Sequence, residues 1–92
     1  MPASASDDLI QQHVQYLTVQ KRLAGRTISM YQEAFARLKA FYEKDKLHLE
    51  QVRPHHVRGW IARLHAKGLG PRSIAITLAA WRGLWRWMGK EG

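Results

Sequence analysis

The chain has 92 residues, 46% of them hydrophobic, with four tryptophans and no cysteine. This is one small domain with material for a packed core. It excludes a disordered chain, a disulfide framework and a cysteine-based metal site. Fifteen Lys and Arg against seven Asp and Glu give a formal charge of +8, which points to a polyanionic partner.

The charge is uneven. Residues 1–50 hold seven basic and six acidic side chains, whereas no acid occurs from Gln51 to Lys90. That half carries Arg53, Arg58, Arg63, Lys67, Arg72, Arg82, Arg86 and Lys90, together with His55, His56 and His65. A soluble basic surface without a ligand is the plain alternative. No uninterrupted apolar run is long enough to span a bilayer. The start, MPASASDD, has neither the basic opening nor the apolar core of a signal peptide, so residues 1–6 read as a short disordered tail and a cytoplasmic location is expected.

The first helix is expected from Asp7 to about Lys21, with Ser6 as N-cap and Asp7 and Asp8 where the helix dipole favours anions. Ile10, Val14 and Leu17 form its inner face, and His13 is a boundary residue rather than a ligand. A break follows at Arg22-Leu23-Ala24-Gly25. The second helix runs from about Arg26 to Lys44, with Ile28, Tyr31, Phe35, Leu38 and Tyr42 repeating at the helical period and Arg26, Ser29, Glu33 and Arg37 pointing the other way. Tyr31 and Tyr42 read as core residues with wet hydroxyls.

A connector, DKLHLEQV, leads to Pro54, which suits the first position of a third helix ending at Lys67 before Gly68. Val57, Trp60, Ile61 and Leu64 are its buried side. His55 and His56 point to different helix faces, so with Arg58 they read as a solvated helix start and not as a catalytic cluster. Gly70 and Pro71 open the fourth helix, whose apolar stripe is Ile74, Leu78, Trp81, Trp85 and Met88. The expected fold is all-α: a compact bundle of four helices over residues 7–89, without a sheet. No cofactor or metal site is expected.

The opposite side of the fourth helix is unusual. At about 100° per residue it presents Arg72, Ile76, Ala79, Gly83 and Arg86, with Ala75 and Arg82 beside them. Small residues in the middle let a backbone come close to a partner, and the flanking guanidinium groups can reach phosphates or base edges. The helix N-terminus adds free N–H groups and Ser73 adds a hydroxyl. Double-stranded DNA fits this face. A protein interface also tolerates small residues and stays open as an alternative.

Several stretches resemble one known family. Tyr16-Leu17, then Leu23, Thr27 and Tyr31, then Phe35, Leu38 and Phe41, match the opening and course of the second helix of the N-terminal core-binding (SAM-like) domain of tyrosine recombinases of the XerC/XerD and phage-integrase group. His56-Val57-Arg58 matches the start of its third helix, and Leu69-Gly70-Pro71-Arg72-Ser73-Ile74 the turn into its fourth. Leu84, Trp85, Met88, Glu91 and Gly92 fit the end before the interdomain linker, here residues 90–92. The chain departs from the family at Ala24-Gly25, where Ser-Pro is common, so the second helix lacks its usual cap.

The resemblance implies a domain that clamps one face of duplex DNA through its second and fourth helices. An absent C-terminal domain would supply the tyrosine nucleophile, so this chain alone is not expected to be an enzyme. The implied DNA contacts are Arg26, Thr27 and Arg37 on the second helix, Arg72, Ser73, Ile76, Ala79, Arg82 and Arg86 on the fourth, and Lys90 toward the linker. The implied partners are double-stranded DNA and, in the whole protein, other recombinase subunits; the isolated domain is expected to be monomeric. A free-standing helical DNA-binding regulator and a helical protein-interaction module remain alternatives at this point.

Overall fold

The computed structural model describes residues 5–91, with side chains for residues 5–89. Four helices follow in order: α1 (Ala5–Val19), α2 (Gly25–Lys44), α3 (Pro54–Ala66) and α4 (Pro71–Glu91), with a 3-10 turn at Leu49–Gln51 before α3. No strand occurs among the described residues, so the all-α expectation holds. The long helices α2 and α4 form the most extensive contact, and α1 and α3 flank them.

The helix exits set the turns. Arg22, Lys46 and Gly68 take left-handed backbone at φ 52°, 56° and 95°. The leucine after each returns to its helix: Leu23 donates its N–H to the Leu17 carbonyl at 3.2 Å, Leu47 to Tyr42 at 2.8 Å and Leu69 to Leu64 at 3.1 Å. All three leucines then pack on the core. This conformation is natural for Gly68, whereas Arg22 and Lys46 each adopt it at a cost of order 1 kcal/mol. The start of α2 is as bare as its sequence implies, since Ala24 makes no side-chain cap.

Aromatic rings fill the centre. Trp81 of α4 is wholly buried, and its Nε1–H donates to the Ala34 carbonyl of α2 at 2.9 Å. Phe41 of α2 stacks on Trp60 of α3 at 5.3 Å, and Trp81 meets both edge-on at 6.3 Å. The Trp60 Nε1–H donates to Asp45 Oδ2 at 2.9 Å, which fixes α3 against the end of α2.

The N-terminus of α1 differs from expectation. The helix begins at Ala5, and Ser6 lies inside its first turn, buried, with Oγ accepting the Leu49 N–H at 3.0 Å. Ser6 therefore ties α1 to the connector instead of capping, and residues 1–4 of the expected tail lie outside the described residues. Asp7 likewise faces inward: Oδ1 accepts the Tyr42 hydroxyl at 2.7 Å, and Oδ2 pairs with Lys39 Nζ at 3.4 Å. The Tyr42 hydroxyl is thus bonded within the protein rather than wet, and burial together with Asp7 pushes its pKa well above the usual phenol value.

His13 is more than a boundary residue. It is buried among Phe35, Trp87 and Tyr16, with ring centroids at 5.6, 5.0 and 6.0 Å. Its Nδ1 has no hydrogen-bond partner among the described residues. Burial lowers its pKa from 6.5 to about 4, and Lys21 and Arg86 line the same groove, so no anion rescues a charged ring there. Between pH 6.5 and about 4 the unfolded chain binds a proton that the folded chain does not. Stability is therefore full above that window and falls as pH drops through it. Thermal melts should show the midpoint falling by several degrees across the window, and His13→Leu should flatten the fall. An identical fall in the variant would assign it to the carboxylates instead.

Candidate nucleic-acid interface

The helices α2 and α4 run antiparallel. Arg37 lies opposite Thr77, Ala34 opposite Trp81, and Tyr31 shares a groove with Gly83. The Arg26 end of α2 therefore runs toward the Arg86 end of α4. Ala34 and Ala80, both wholly buried, are small enough to let the two backbones approach.

The position of α4 corrects the expected helical wheel. Its most buried residues are Thr77, Ala80, Trp81 and Leu84. Ile74, Leu78, Trp85 and Met88, expected at the core, are only half-buried. The cause is that α4 is covered on two flanks, by α2 on one and by α3 on the other, so its deepest line falls between them. The exposed line is then Arg72, Ala75, Ala79, Arg82 and Arg86. Ile76 and Gly83 leave the centre of the outer face and sit half-buried at its edge. A Cβ at Gly83 would meet no atom within 4 Å, so internal packing does not require glycine there.

The remaining expected contacts divide. Arg26 is exposed in the first turn of α2, and Thr27 and Ser73 are half-buried. Arg37 is half-buried, with Nη1 donating to Thr77 Oγ1 at 3.4 Å. The side chain of Lys90 lies outside the described residues. Two open grooves border the exposed line. One joins Ala79, Gly83 and Arg86 to Tyr31 and Lys21, and the other joins Arg82 to Arg58 of α3. Lys21, Tyr31 and Arg58 are thus added to the surface. The sequence pattern carries the first helix to about Lys21, but α1 ends at Val19 and Lys21 lies in the turn after it.

Electrostatically the two grooves beside α4 carry only positive charge. Neither groove has a carboxylate in its lining. Lys39–Asp7 is the only ion pair among the described residues, and it lies on the α1 side of α2. Glu33 and Glu43 are both exposed on α2, and neither has an ion pair among the described residues. No group of three or more His, Asp or Glu side chains gathers as a metal site among the described residues, and no described helix is long and apolar enough to cross a membrane. Tyr16 packs beside His13, and both Tyr16 and Tyr31 line the groove that holds Arg86. Neither hydroxyl makes a hydrogen bond among the described residues, and a single arginine with a buried, uncharged imidazole does not build a pocket for phosphoryl chemistry.

The family described as phage integrase, N-terminal SAM-like domain, matches residues 10–92. Tyrosine recombinase XerC 1 of Ralstonia nicotianae is 33% identical over 100 residues, covering 96% of this chain and 30% of the relative. Tyrosine recombinase XerC of Ralstonia pickettii is 34% identical over 99 residues with the same coverage of 96% and 30%. That of Stutzerimonas stutzeri is 27% identical over 81 residues, covering 87% of this chain and 27% of the relative. The chain spans about 30% of the length of the first two of these curated relatives. No solved structure matches it.

Proposed function

Because the chain belongs to the phage integrase N-terminal SAM-like family, we propose that it is the part of a tyrosine recombinase that holds duplex DNA while a separate catalytic domain breaks and rejoins the strands. The observation that carries this reading is the exposed line of α4. Arg72, Arg82 and Arg86 are spaced along a helix whose intervening surface is Ala75 and Ala79, and the bordering grooves hold no carboxylate. A surface facing only water has no reason to lose both its acids and its long neutral side chains. A helix seated against a duplex needs both losses, since phosphates repel carboxylates and the groove walls exclude bulk.

Arg26 and Thr27 would meet the duplex from the start of α2, and Arg37 from its middle. Arg72 and Ser73 lie in the first turn of α4, where free N–H groups favour a phosphate. Ile76, half-buried at the seam, would offer its exposed edge to a base or sugar, and Ala79 would make the closest approach. Arg82, Arg86 and Lys90 would follow the phosphates. The half-burial of Ile76 also weakens the protein-interaction reading, which needs that side chain exposed. Strand cleavage, other recombinase subunits and a cytoplasmic setting are carried by the tyrosine recombinase reading of the whole protein.

The expected result is weak, salt-sensitive binding of duplex DNA. Neutralising about four phosphates gives a log–log salt slope of about −4. Fluorescence anisotropy with a short mixed-sequence duplex, titrated from low to physiological ionic strength, measures it. Affinity that does not change with salt would sink the reading.

A further inference from the structure

Thr77 is wholly buried on the inner line of α4, among Ala80, Trp81 and Leu84. It is the only polar member of that set, in a place where valine has nearly the same shape. Its hydroxyl donates to the Ser73 carbonyl one turn back at 2.8 Å. With the hydrogen fixed in that direction, the lone pairs of Oγ1 are free to accept, and Arg37 Nη1 donates to them from α2 at 3.4 Å. Arg37 has no ion pair among the described residues.

This is an unusual way to hold an arginine. A carboxylate in place of Thr77 would grip the guanidinium harder but would cancel its charge. A neutral hydroxyl uses one of its five N–H donors and leaves the charge intact. The result is a permanent cation, half-buried at the seam between α2 and α4, with no ion pair among the described residues.

We propose that Thr77 is a positioning residue for DNA binding: it holds the Arg37 guanidinium at the α2–α4 seam so that the unspent donors face a phosphate oxygen of the duplex. The inference rests on the DNA reading above and extends it to a residue that touches no DNA. The mechanism is preorganisation. A long side chain already held in the unbound protein has less rotamer freedom to lose when the phosphate arrives.

The test is a double-mutant cycle on the 92-residue chain, read by anisotropy with a short mixed-sequence DNA duplex over a salt series. Thr77→Val should weaken binding by about two- to tenfold, the range set by freeing one long side chain, and should leave the salt slope unchanged because the charge remains. Thr77→Ser keeps the hydroxyl and should bind like the unaltered chain. Arg37→Ala should lower the slope by about 0.9, one phosphate's share, and in that background Thr77→Val should have no further effect. If Thr77→Val disturbs folding, Arg37→Lys carries the same test without touching α4. It keeps the charge but not the fork, so affinity should fall several-fold at constant slope.

Equal losses from Thr77→Val with and without Arg37→Ala would mean that Thr77 acts only through the fold, and would overturn the proposal. So would Arg37→Ala or Arg37→Lys binding like the unaltered chain, although salt-sensitive binding in that case leaves the DNA reading standing. Salt-independent binding by the unaltered chain removes both.

Discussion

Trp81→Ala is expected to cost about 3–5 kcal/mol, the range for emptying a large buried aromatic site. A domain of this size has roughly 5–15 kcal/mol in total, so the variant should lose a large share of its stability and melt well below the unaltered chain. Trp81 is wholly buried and stands edge-on to Phe41, Trp60 and Trp85 at 6.3, 6.3 and 6.5 Å. It is the ring on which α2, α3 and α4 converge, so the cavity left behind cannot close without moving a helix. Urea unfolding followed by circular dichroism measures the loss. Trp81→Phe separates two contributions: it keeps most of the ring contact and removes the N–H that reaches the Ala34 carbonyl at 2.9 Å. That carbonyl is in a helix and keeps its backbone partner, so the cost should be nearer 1–2 kcal/mol than the full amount. A loss below about 1 kcal/mol for Trp81→Ala would mean that the core is centred elsewhere.

Much of this architecture is legible in the amino-acid pattern because it is local. Three-and-four spacing of Tyr31, Phe35, Leu38 and Tyr42 announces α2, and Pro54 and Pro71 mark the first residues of α3 and α4. What the pattern hides depends on neighbours distant in the chain. The centre of α4 shifts to Thr77, Ala80 and Leu84 because helices cover it on two flanks, and small or polar residues do not register as core in a hydrophobicity pattern. The left-handed exits at Arg22 and Lys46 escape notice because only glycine advertises that conformation. Ser6 and Asp7 look like a helix start, yet they are spent on Leu49 and Tyr42, 43 and 35 residues away.

The candidate surface divides along the same line. Arg72, Ala79, Arg82 and Arg86 share the exposed side of a single helix, so their common exposure follows from helical spacing alone. Lys21, Tyr31 and Arg58 join the surface only through packing between helices, which no local spacing encodes. Arg37 is the intermediate case. Its outward position on α2 is readable, but its bond to Thr77 across 40 residues is not.

Ala79→Gln is expected to leave the fold intact and to weaken DNA binding by about an order of magnitude or more, a loss of roughly 1.4 kcal/mol or above. Ala79 is exposed, between Arg72 and Arg86 on the solvent line of α4. Glutamine is a good helix former, so the folded state should change by only about 0.5 kcal/mol or less. Binding is different because the added side chain stands where the groove wall would lie. Seating the helix would require either bending the glutamine aside or lifting the flanking arginines off their phosphates, and charge-assisted bonds weaken steeply with distance. Arg72→Ala should also weaken binding, by removing a cation at the helix start. Arg58→Ala should matter less, since Arg58 reaches this surface only at its α3 border. Parallel melting curves and anisotropy titrations separate the outcomes. Unfolding by Ala79→Gln would place Ala79 inside the protein, contrary to its exposure. A folded variant that binds DNA at full strength would mean that the small, arginine-edged face of α4 serves a partner other than the duplex.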